Sequence, residues 1–359
     1  MVKVTSQGDK SCFPAQEGEV VLMVQESEDG ITAVEALEVG EEPSEDSENE
    51  EEAHKTEVSS QEELVAALEA AEDGAKIKLT EDLDIGSSYI TIDKSAEIDL
   101  GGKSISSSSV AFYVDGGELT LSNGSVSATS DSIQVRNGGK LIIDGADITS
   151  TGKNAVSAVE SEVTVEDGNI QSQEAGIAGF KDSTIIINGG TITGIDNCPI
   201  MGNGSKAGAK NDGTNMNVVM NGGKLVAHIQ SSGYIACGVY VPNSGSFTMN
   251  GGEIISDGAG LVQRGGTVNL NGGSIQANGA TGVSGKVGDS RVVVGPYAVC
   301  FDYNSKYPAC DSMELNIESG IQLQGTDGEL QTILPEISDS FTEEKKEEVL
   351  AKIHDNRGE

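Results

Sequence analysis

Apolar residues recur along this chain with a period of about 22 positions between residues 77 and 323. Each repeat has two apolar residues at positions i and i+2, a turn rich in Asn, Asp and Gly, and a third apolar residue five positions after the pair. The second residue of each pair is, in chain order, Leu121, Ile143, Val165, Ile187, Met220, Met249 and Leu270. Alternation at i and i+2 places both side chains on one face of a strand. A repeat of this length predicts a stack of similar coils, a solenoid.

The turn after the apolar pair is most regular at residues 188–190 and 250–252, which both read Asn-Gly-Gly. Glycine and asparagine accept the positive φ that a sharp corner requires. A further apolar pair precedes each repeat, so a repeat offers two or three short strands and no crossover helix. We predict an all-β solenoid, a right-handed parallel β-helix of about eleven coils. Its outer coils are predicted at the pairs Ile77/Leu79, Ile98/Leu100, Val292/Val294 and Leu315/Ile317.

Both ends of the predicted stack carry helix signals. Ser60 and Glu63 have the spacing of a capping box, which predicts a capping helix over residues 60–73. Such a helix closes the stack, because an open stack exposes unpaired strand edges. A second box, Ser340 to Glu343, predicts a short helix over 341–353 within a C-terminal tail, residues 326–359. The β-helix with its capping helix is predicted to cover residues 60–325.

Acidic residues dominate the chain and are most concentrated near its start. The formal net charge is −36, and eight of the twelve residues at 41–52 are Asp or Glu. This composition predicts an acidic flexible linker over residues 40–59. The linker follows a small N-terminal β unit, residues 1–39, which buries too little surface for a strong core and is interpreted as a docking module. The β-like runs of this unit are at residues 2–4, 19–24 and 31–37. The negative charge argues against nucleic acid and membrane surfaces as partners.

Export and disulfide signals are not found in the sequence. The first residues lack an apolar export segment, and no apolar run is long enough to cross a membrane. The five cysteines are odd in number and lack CxxC spacing, which argues against a disulfide framework and favours synthesis in a reducing compartment. Cys237 lies among small apolar residues and is interpreted as a packing residue.

Carboxylates at equivalent places on successive coils are the candidates for catalysis, because glycosidases use two carboxylates about 5–9.5 Å apart. Asp144 and Glu166 align on adjacent coils, and their column continues with Asn188, Asn221, Asn250 and Asn271. Such a column favours a corner ladder in which Asn and Asp side chains bond local backbone. We therefore predict no catalytic residue, no metal site and no cofactor. A structural Ca²⁺ at the corner Asp and Asn residues is the alternative left open.

Three segments are predicted to host ligand binding. Two are insertions at residues 197–214 and 228–238, which consecutive coils bring side by side. The third, residues 297–310, concentrates aromatics that are scarce in a chain with 4% aromatic residues and no Trp. That scarcity argues against a sugar groove of stacking platforms, and packing of the loop's own aromatics is the alternative for the third segment. The candidate binding residues are Asn197, Lys206, Lys210, His228, Tyr234, Tyr297, Tyr303 and Tyr307.

The start of the predicted stack resembles a known family. SQEELVAALEAAEDGAKIKLTEDLDI at 60–85, YITIDK at 89–94 and EIDLGGKSI at 97–105 look like the opening of pectin-lyase-like β-helix domains. The resemblance covers about residues 60–325 and implies the β-helix fold. Such domains are common in surface proteins of Gram-positive gut bacteria and in phages of those hosts, and many are non-catalytic stalks or adhesive rods. The Asp cluster and partnering Arg of the lyase members do not stand out here, nor do an export signal or a sortase-type anchor.

These features favour a non-enzymatic bacteriophage virion protein, such as a head fibre, decoration protein or tail-associated fibre. It would be made in the host cytoplasm and bind capsid or tail proteins through residues 1–39. The rod's loops would contact host-surface carbohydrate, and a homotrimer is open alongside a monomer. The alternative is an adhesin fragment at the extracellular cell surface, and a third candidate is a polysaccharide lyase or hydrolase.

Overall fold

The computed structural model describes residues 20–27, 30–38, 55–71, 74–203, 215–230, 236–282, 285–286, 293–304, 307, 309–334 and 341–358. The chain separates into two compact units, Met1–His54 and Lys55–Glu359. In the first unit, strands β1 (Val20–Ser27) and β2 (Gly30–Glu38) form an antiparallel pair. They overlap the β runs predicted at 19–24 and 31–37, whereas the run at 2–4 and the linker up to residue 54 lie outside the described residues.

The second unit is built mostly of short strands. It begins with β3 (Thr56–Val58), α1 (Gln61–Ala70), β4 (Ala75–Leu79), β5 (Leu83–Asp84), β6 (Ile90–Ile92), β7 (Ser95–Asp99), β8 (Ser104–Ser107), β9 (Phe112–Asp115), β10 (Glu118–Ala128) and β11 (Ile133–Arg136). It continues with β12 (Lys140–Ser150), β13 (Val156–Val159), β14 (Glu162–Asp167), β15 (Asn169–Ser172), β16 (Ile177–Phe180), β17 (Ser183–Ile187), β18 (Thr191–Ile195), β19 (Ile200–Gly202), β20 (Met216–Met220), β21 (Lys224–His228) and β22 (Cys237–Val241). It ends with β23 (Ser246–Met249), β24 (Glu253–Ser256), β25 (Ala259–Gln263), β26 (Thr267–Ala277), β27 (Gly285–Lys286), β28 (Val293–Val294), β29 (Tyr297–Asp302), β30 (Glu314–Gly325), β31 (Gly328–Ile333), α2 (Glu343–Leu350) and β32 (Ile353–Asp355).

Strands one repeat apart pair in parallel, in the register that the sequence period predicts. Leu121 lies opposite Ile143, and the pairing continues across the two insertions, where Ile187 lies opposite Met220 and Met220 opposite Met249. The strands fall into three columns. The column that contains the apolar pairs is β3, β4, β7, β10, β12, β14, β17, β20, β23, β26, β30 and β32.

The second column follows the corner, and the third forms a separate ten-stranded sheet. Long strands such as β10 and β12 run through the corner, so the first two columns close into one continuous hydrogen-bonded arrangement. The third column, called here the outer sheet, is all parallel in the order β31-β29-β25-β22-β19-β16-β13-β11-β9-β6. Side chains alternate between the two faces of its strands. In β9, Phe112 and Val114 are fully buried, whereas Tyr113 and Asp115, which alternate with them, are half-buried.

The ends of the stack differ from the sequence-based prediction. Of the predicted pair Val292/Val294, Val292 lies outside the described residues. Val294 is not part of the first column, because Leu270 lies opposite Ile317 and β28 pairs antiparallel with β27. The sequence spacing predicted that Leu121 lies opposite Leu100, but its partner is Ile98, two residues earlier. The stack also begins earlier and ends later than predicted: β3 lies inside the predicted linker, and β31 and β32 lie inside the predicted tail.

Both helices cover the buried core. The Ser60 hydroxyl accepts from the Glu63 backbone N–H at 3.2 Å, and the Glu63 carboxylate accepts from the Ser59 backbone N–H at 2.7 Å. The helix ends at Ala70, and Leu64 is fully buried. At the other end Thr342, rather than Ser340, is the N-cap of α2. This helix stops at Leu350, short of the predicted residue 353, because residues 353–355 form β32, and Val349 joins the core.

No helix of the described residues is long and apolar enough to span a membrane.

Replacing a corner glycine with alanine is predicted to lower the free energy of unfolding by different amounts at different corners. Gly223 and Gly102 have nearly the same backbone, with φ of +75° and +76°. A Cβ at Gly223 would lie 2.6 Å from the Gly189 carbonyl oxygen, whereas one at Gly102 would meet nothing within 4 Å. Gly102→Ala is therefore expected to lower the free energy of unfolding by about 1–2 kcal/mol through its left-handed backbone alone. Gly223→Ala should lose about 1–3 kcal/mol more from the backbone clash. Urea denaturation followed by circular dichroism measures both, and equal losses would contradict the close coil contact.

Candidate functional site

The outward face of the outer sheet changes character along the stack. Its outward positions on successive strands are Thr91, Tyr113, Gln134, Ser157, Ala178, Met201, Tyr240, Val262, Cys300 and Gln331. Thr91 is exposed and Tyr113 half-buried, whereas Tyr240, Val262 and Cys300 are buried although they point away from the central core. The early coils thus present this face to solvent, and in the later coils the same face is covered.

An aromatic and charged cluster occupies the exposed half of this face. We call Tyr89, Tyr113, Asp115 and Arg136 the aromatic–arginine patch. Tyr89, just before β6, has 57% of its surface exposed, compared with 38% for Leu350, the other exposed large hydrophobic side chain among the described residues. Its ring meets that of Tyr113 edge to face, with centroids 4.9 Å apart and an interplanar angle of 88°. An edge-to-face pair is a favoured aromatic geometry and holds the two rings in place.

Arg136 links the rings of the patch to its carboxylate. It donates from Nε (3.1 Å) and Nη2 (2.8 Å) to Asp115 Oδ2, and its Cζ lies 4.6 Å from the Tyr113 ring centroid. Asp115 also accepts from the Asn137 amide at 2.5 Å. The hydrogen bonds from Asn137 and Arg136 lower the pKa of Asp115, so the carboxylate stays ionised at neutral pH. Arg136 Nη1 has no hydrogen-bond partner among the described residues.

The patch combines features that suit recognition of a sugar. Aromatic faces pack against the apolar C–H face of a pyranose ring, and the guanidinium and carboxylate offer donors and acceptors to hydroxyl groups. The polar groups are already oriented by each other, so little rotamer entropy remains to be lost on binding. Gln134, on the neighbouring strand, is held by a 2.8 Å bond from its amide to Asp131. The patch therefore presents an aromatic ring, a guanidinium and a carboxylate that are held in place by one another.

A second polar cluster lies on the covered half of the same face. Arg264, fully buried, donates from Nε to Asp302 at 2.5 Å and from Nη1 to the Tyr240 hydroxyl at 3.0 Å. The Tyr240 hydroxyl in turn donates to the Tyr307 hydroxyl at 3.1 Å. Burial raises the pKa of Asp302, and the Arg264 charge opposes that rise. We call Tyr240, Arg264, Asp302 and Tyr307 the buried polar cluster, and its burial gives it a structural role.

The residues predicted for the two insertion loops are only partly described. Asn197 is half-buried, and its side-chain oxygen accepts from the Cys198 backbone N–H at 3.0 Å. His228 is exposed, with Nδ1 3.1 Å from Asp257 Oδ2. Lys206, Lys210 and Tyr234 lie outside the described residues. The binding prediction for these loops stays a prediction.

The aromatics of the third segment are packed rather than presented. The Tyr303 hydroxyl donates to Asp311 at 2.6 Å, and Tyr303 and Tyr307 are each only 6% exposed. Tyr297 is half-buried against the cluster formed by Cys198, Cys237 and Cys300. These are the contacts that the packing alternative expects, and the binding prediction for this segment stays a prediction.

The corner column forms a side-chain ladder between coils instead of bonds to local backbone. Asn221 donates to Asn188 at 2.9 Å, Asn250 to Asn221 at 2.9 Å and Asn271 to Asn250 at 2.8 Å. At its start the Asn188 amide donates to both Glu166 carboxylate oxygens at 3.0 Å. Asp144 lies opposite Asp167, because the register shifts at this corner. Glu166 is therefore engaged as the first rung of the ladder.

Within the described part of the chain, no group of three or more His, Cys, Asp or Glu side chains is arranged to hold a metal ion. Comparisons with protein-family models, with curated proteins and with solved structures gave no match for this chain.

Proposed function

We propose that this protein is a non-enzymatic structural and binding protein of a bacteriophage virion, and that its aromatic–arginine patch binds host-surface carbohydrate. The observation that carries the binding proposal is the exposed Tyr89 ring, fixed against Tyr113 beside the oriented Arg136–Asp115 pair. Exposed aromatic surface with fixed polar neighbours is typical of a recognition site. The described fold presents this surface on a broad sheet rather than in a deep cavity.

The scaffold in this proposal is a right-handed parallel β-helix. Its support is the in-register parallel pairing of strands one repeat apart in three columns, with helices at both ends. A stack of this kind is a rigid rod whose face can carry a binding patch. Its strongly negative charge limits self-association.

Residues 1–39 are proposed to bind capsid or tail proteins, with residues 40–59 serving mainly as a tether. The proposal rests on the division of the chain into two compact units at residue 54 and on the acidic composition of residues 41–52. Particles from a strain carrying the gene should contain the protein by mass spectrometry. Particles from a strain with codons 1–39 deleted should lack it. Intact particles without the protein in both strains would instead favour the cell-surface adhesin.

The binding proposal predicts a defined loss for Tyr89→Ala. The purified full-length protein is tested against isolated host-wall polysaccharides by isothermal calorimetry. Removing the exposed ring is expected to raise the Kd about tenfold, since an aromatic contact contributes about 0.5–1.5 kcal/mol beyond its area. Arg136→Gln should raise the Kd similarly, because it removes the guanidinium charge while keeping a planar amide.

The matched control for these variants is Lys181→Ala. Lys181 is an exposed cation directly after β16 in the same sheet, paired with Glu160 at 3.7 Å. It follows Phe180, which lies two strands beyond Arg136 in the register. Its loss should leave the Kd unchanged. Binding that survives Tyr89→Ala, or that Lys181→Ala removes equally, would place the glycan contact elsewhere.

A further inference from the structure

Two cysteines face each other across adjacent coils of the outer sheet. Cys237 is the first residue of β22, and Cys198 lies two residues before β19. These strands pair in parallel with Ile200 opposite Val239 and Met201 opposite Tyr240. Continuing that register back by two residues sets position 198 opposite position 237. Directly opposite residues on neighbouring strands have the Cα separation that a disulfide needs, about 4.4–6.8 Å.

The two sulfur atoms are already close. Their separation is 2.7 Å, only about 0.6–0.7 Å longer than an S–S bond. Both side chains are buried, at 1% and 0% exposure, among Tyr240, Ala259 and Cys300. The thiols of Cys198, Cys237, Cys300 and Cys310 are all free in this structure. Cys300 is not an equivalent partner, because it lies in register with Val262 and Tyr240 rather than with Cys237.

A link between Cys198 and Cys237 would close a segment that contains two long insertions. The segment between Cys198 and Cys237 contains both long insertions, where the step between coils rises from 22 residues to 33 and 29. Longer loops cost more entropy to close, so a link across them constrains the unfolded chain more than one within a regular coil. The pair therefore lies beside two coils whose spacing departs from the regular repeat.

We propose that Cys198 and Cys237 form a disulfide that ties two adjacent coils together when the protein meets an oxidising medium. The oxidant is a low-molecular-weight disulfide, RSSR. One cysteine thiolate attacks RSSR, forming a mixed disulfide and releasing one RSH after protonation of the leaving thiolate. The second cysteine thiolate attacks the protein sulfur of that mixed disulfide and releases the other RSH. Two protein thiols are oxidised, and one RSSR is reduced to two RSH.

Burial of the two thiols is expected to slow formation of the disulfide at neutral pH. Burial raises the pKa of Cys237 well above that of a free thiol, and the neighbouring Cys198 adds to the rise. Only a small fraction is therefore thiolate at neutral pH, and the linking reaction should accelerate as the pH is raised. Burial also keeps both RSSR and reductants away from the sulfur atoms, so the link should form, or be reduced, only when this part of the sheet opens locally.

The test uses full-length protein incubated with oxidised glutathione, then denatured, alkylated and digested without reductant. Mass spectrometry should find a Cys198–Cys237 linked peptide lighter by two hydrogen atoms, with Cys12, Cys300 and Cys310 alkylated. The oxidised protein should melt on the order of 6 °C above the reduced protein. Cys198→Ser and Cys237→Ser should abolish the shift, and Cys300→Ser, a substitution in the same buried cluster, should preserve it.

Alkylation of Cys198 and Cys237 after oxidation at raised pH would overturn the proposal. So would a mixture of linkages that includes Cys300 or Cys310 at equal yield. The direct peptide measurement on the unmodified sequence decides the matter even if a serine variant folds poorly.

Discussion

Deleting residues 162–183 is expected to give a folded protein one coil shorter. The segment contains β14, β15 and β16, one strand from each of the three columns. Glu162 lies opposite Thr184 and Val163 opposite Ile185, so residue 184 takes the place of residue 162 in the new junction. Because each coil contacts mainly its neighbours, the loss should be that of one repeat and its interface. Circular dichroism and thermal melting of the shortened protein measure the result.

Deleting only residues 162–172 is the matched control and is expected to abolish cooperative unfolding. It removes β14 and β15 but keeps β16, so the first two columns lose a strand that the outer sheet retains. The remaining chain cannot keep all three columns in register, and the buried faces of neighbouring coils no longer coincide. Equal tolerance of both deletions, or collapse with the full-coil deletion, would contradict the proposed β-helix.

The middle of the stack could be predicted from the sequence because the buried side chains there are large, apolar and regularly spaced. Side chains such as Ile143, Val165 and Ile187 pack on the same column, and only one register buries them all. The insertions did not disturb the prediction, since the apolar pair resumes after each of them. Periodicity therefore determined the alignment even where the spacing rose to 33 residues.

The ends could not be predicted by the same reasoning. β3 is Thr-Glu-Val and β32 is Ile-His-Asp, each with a single apolar residue, which is too little to show a period. Val292/Val294 matched the spacing by chance, whereas the chain reaches the next coil at Leu315 after a long excursion. The short strands at the ends are held in place by pairing with the edge of the neighbouring strand. The pattern of apolar residues along the sequence does not show where that edge lies.

The aromatic–arginine patch could not be predicted from composition, because the number of aromatic residues does not show which face of a strand each one occupies. Tyr113 lies between the apolar residues Phe112 and Val114, so the alternation of side chains along a strand places it on the opposite face. Its contact with Arg136, 23 positions later, follows from the register of β9 and β11. Likewise, cysteines 39 positions apart show no motif, although the coil spacing places them opposite each other. The covering of the later half of the outer sheet could not be predicted in this way, because the residues of a strand do not show which other segment packs on it.

Replacing Arg264 with Met is expected to cost about 3–5 kcal/mol of unfolding free energy, the range found when one partner of a buried ion pair is removed. The change leaves the Asp302 carboxylate buried without its counter-charge and takes a hydrogen bond from Tyr240. Burial already raises the pKa of Asp302, and without Arg264 nothing opposes that rise. A raised carboxyl pKa favours the fold at low pH and loses that benefit as the pH rises through it. The loss should therefore be larger at pH 8 than at pH 5.

The matched control for this change is Arg136→Met. Arg136 is likewise paired with an Asp, here through Nε and Nη2 to one carboxylate oxygen, but its side chain is 42% exposed and that of Asp115 29%. Water screens such a pair, so the expected loss is about 0–1 kcal/mol. The double variant Arg264→Met/Asp302→Leu should recover much of the loss, because it removes both buried charges together. Urea denaturation at the two pH values measures all three variants. Equal losses for Arg264→Met and Arg136→Met would mean that water reaches the buried polar cluster, and that the later coils' outer face is open rather than covered.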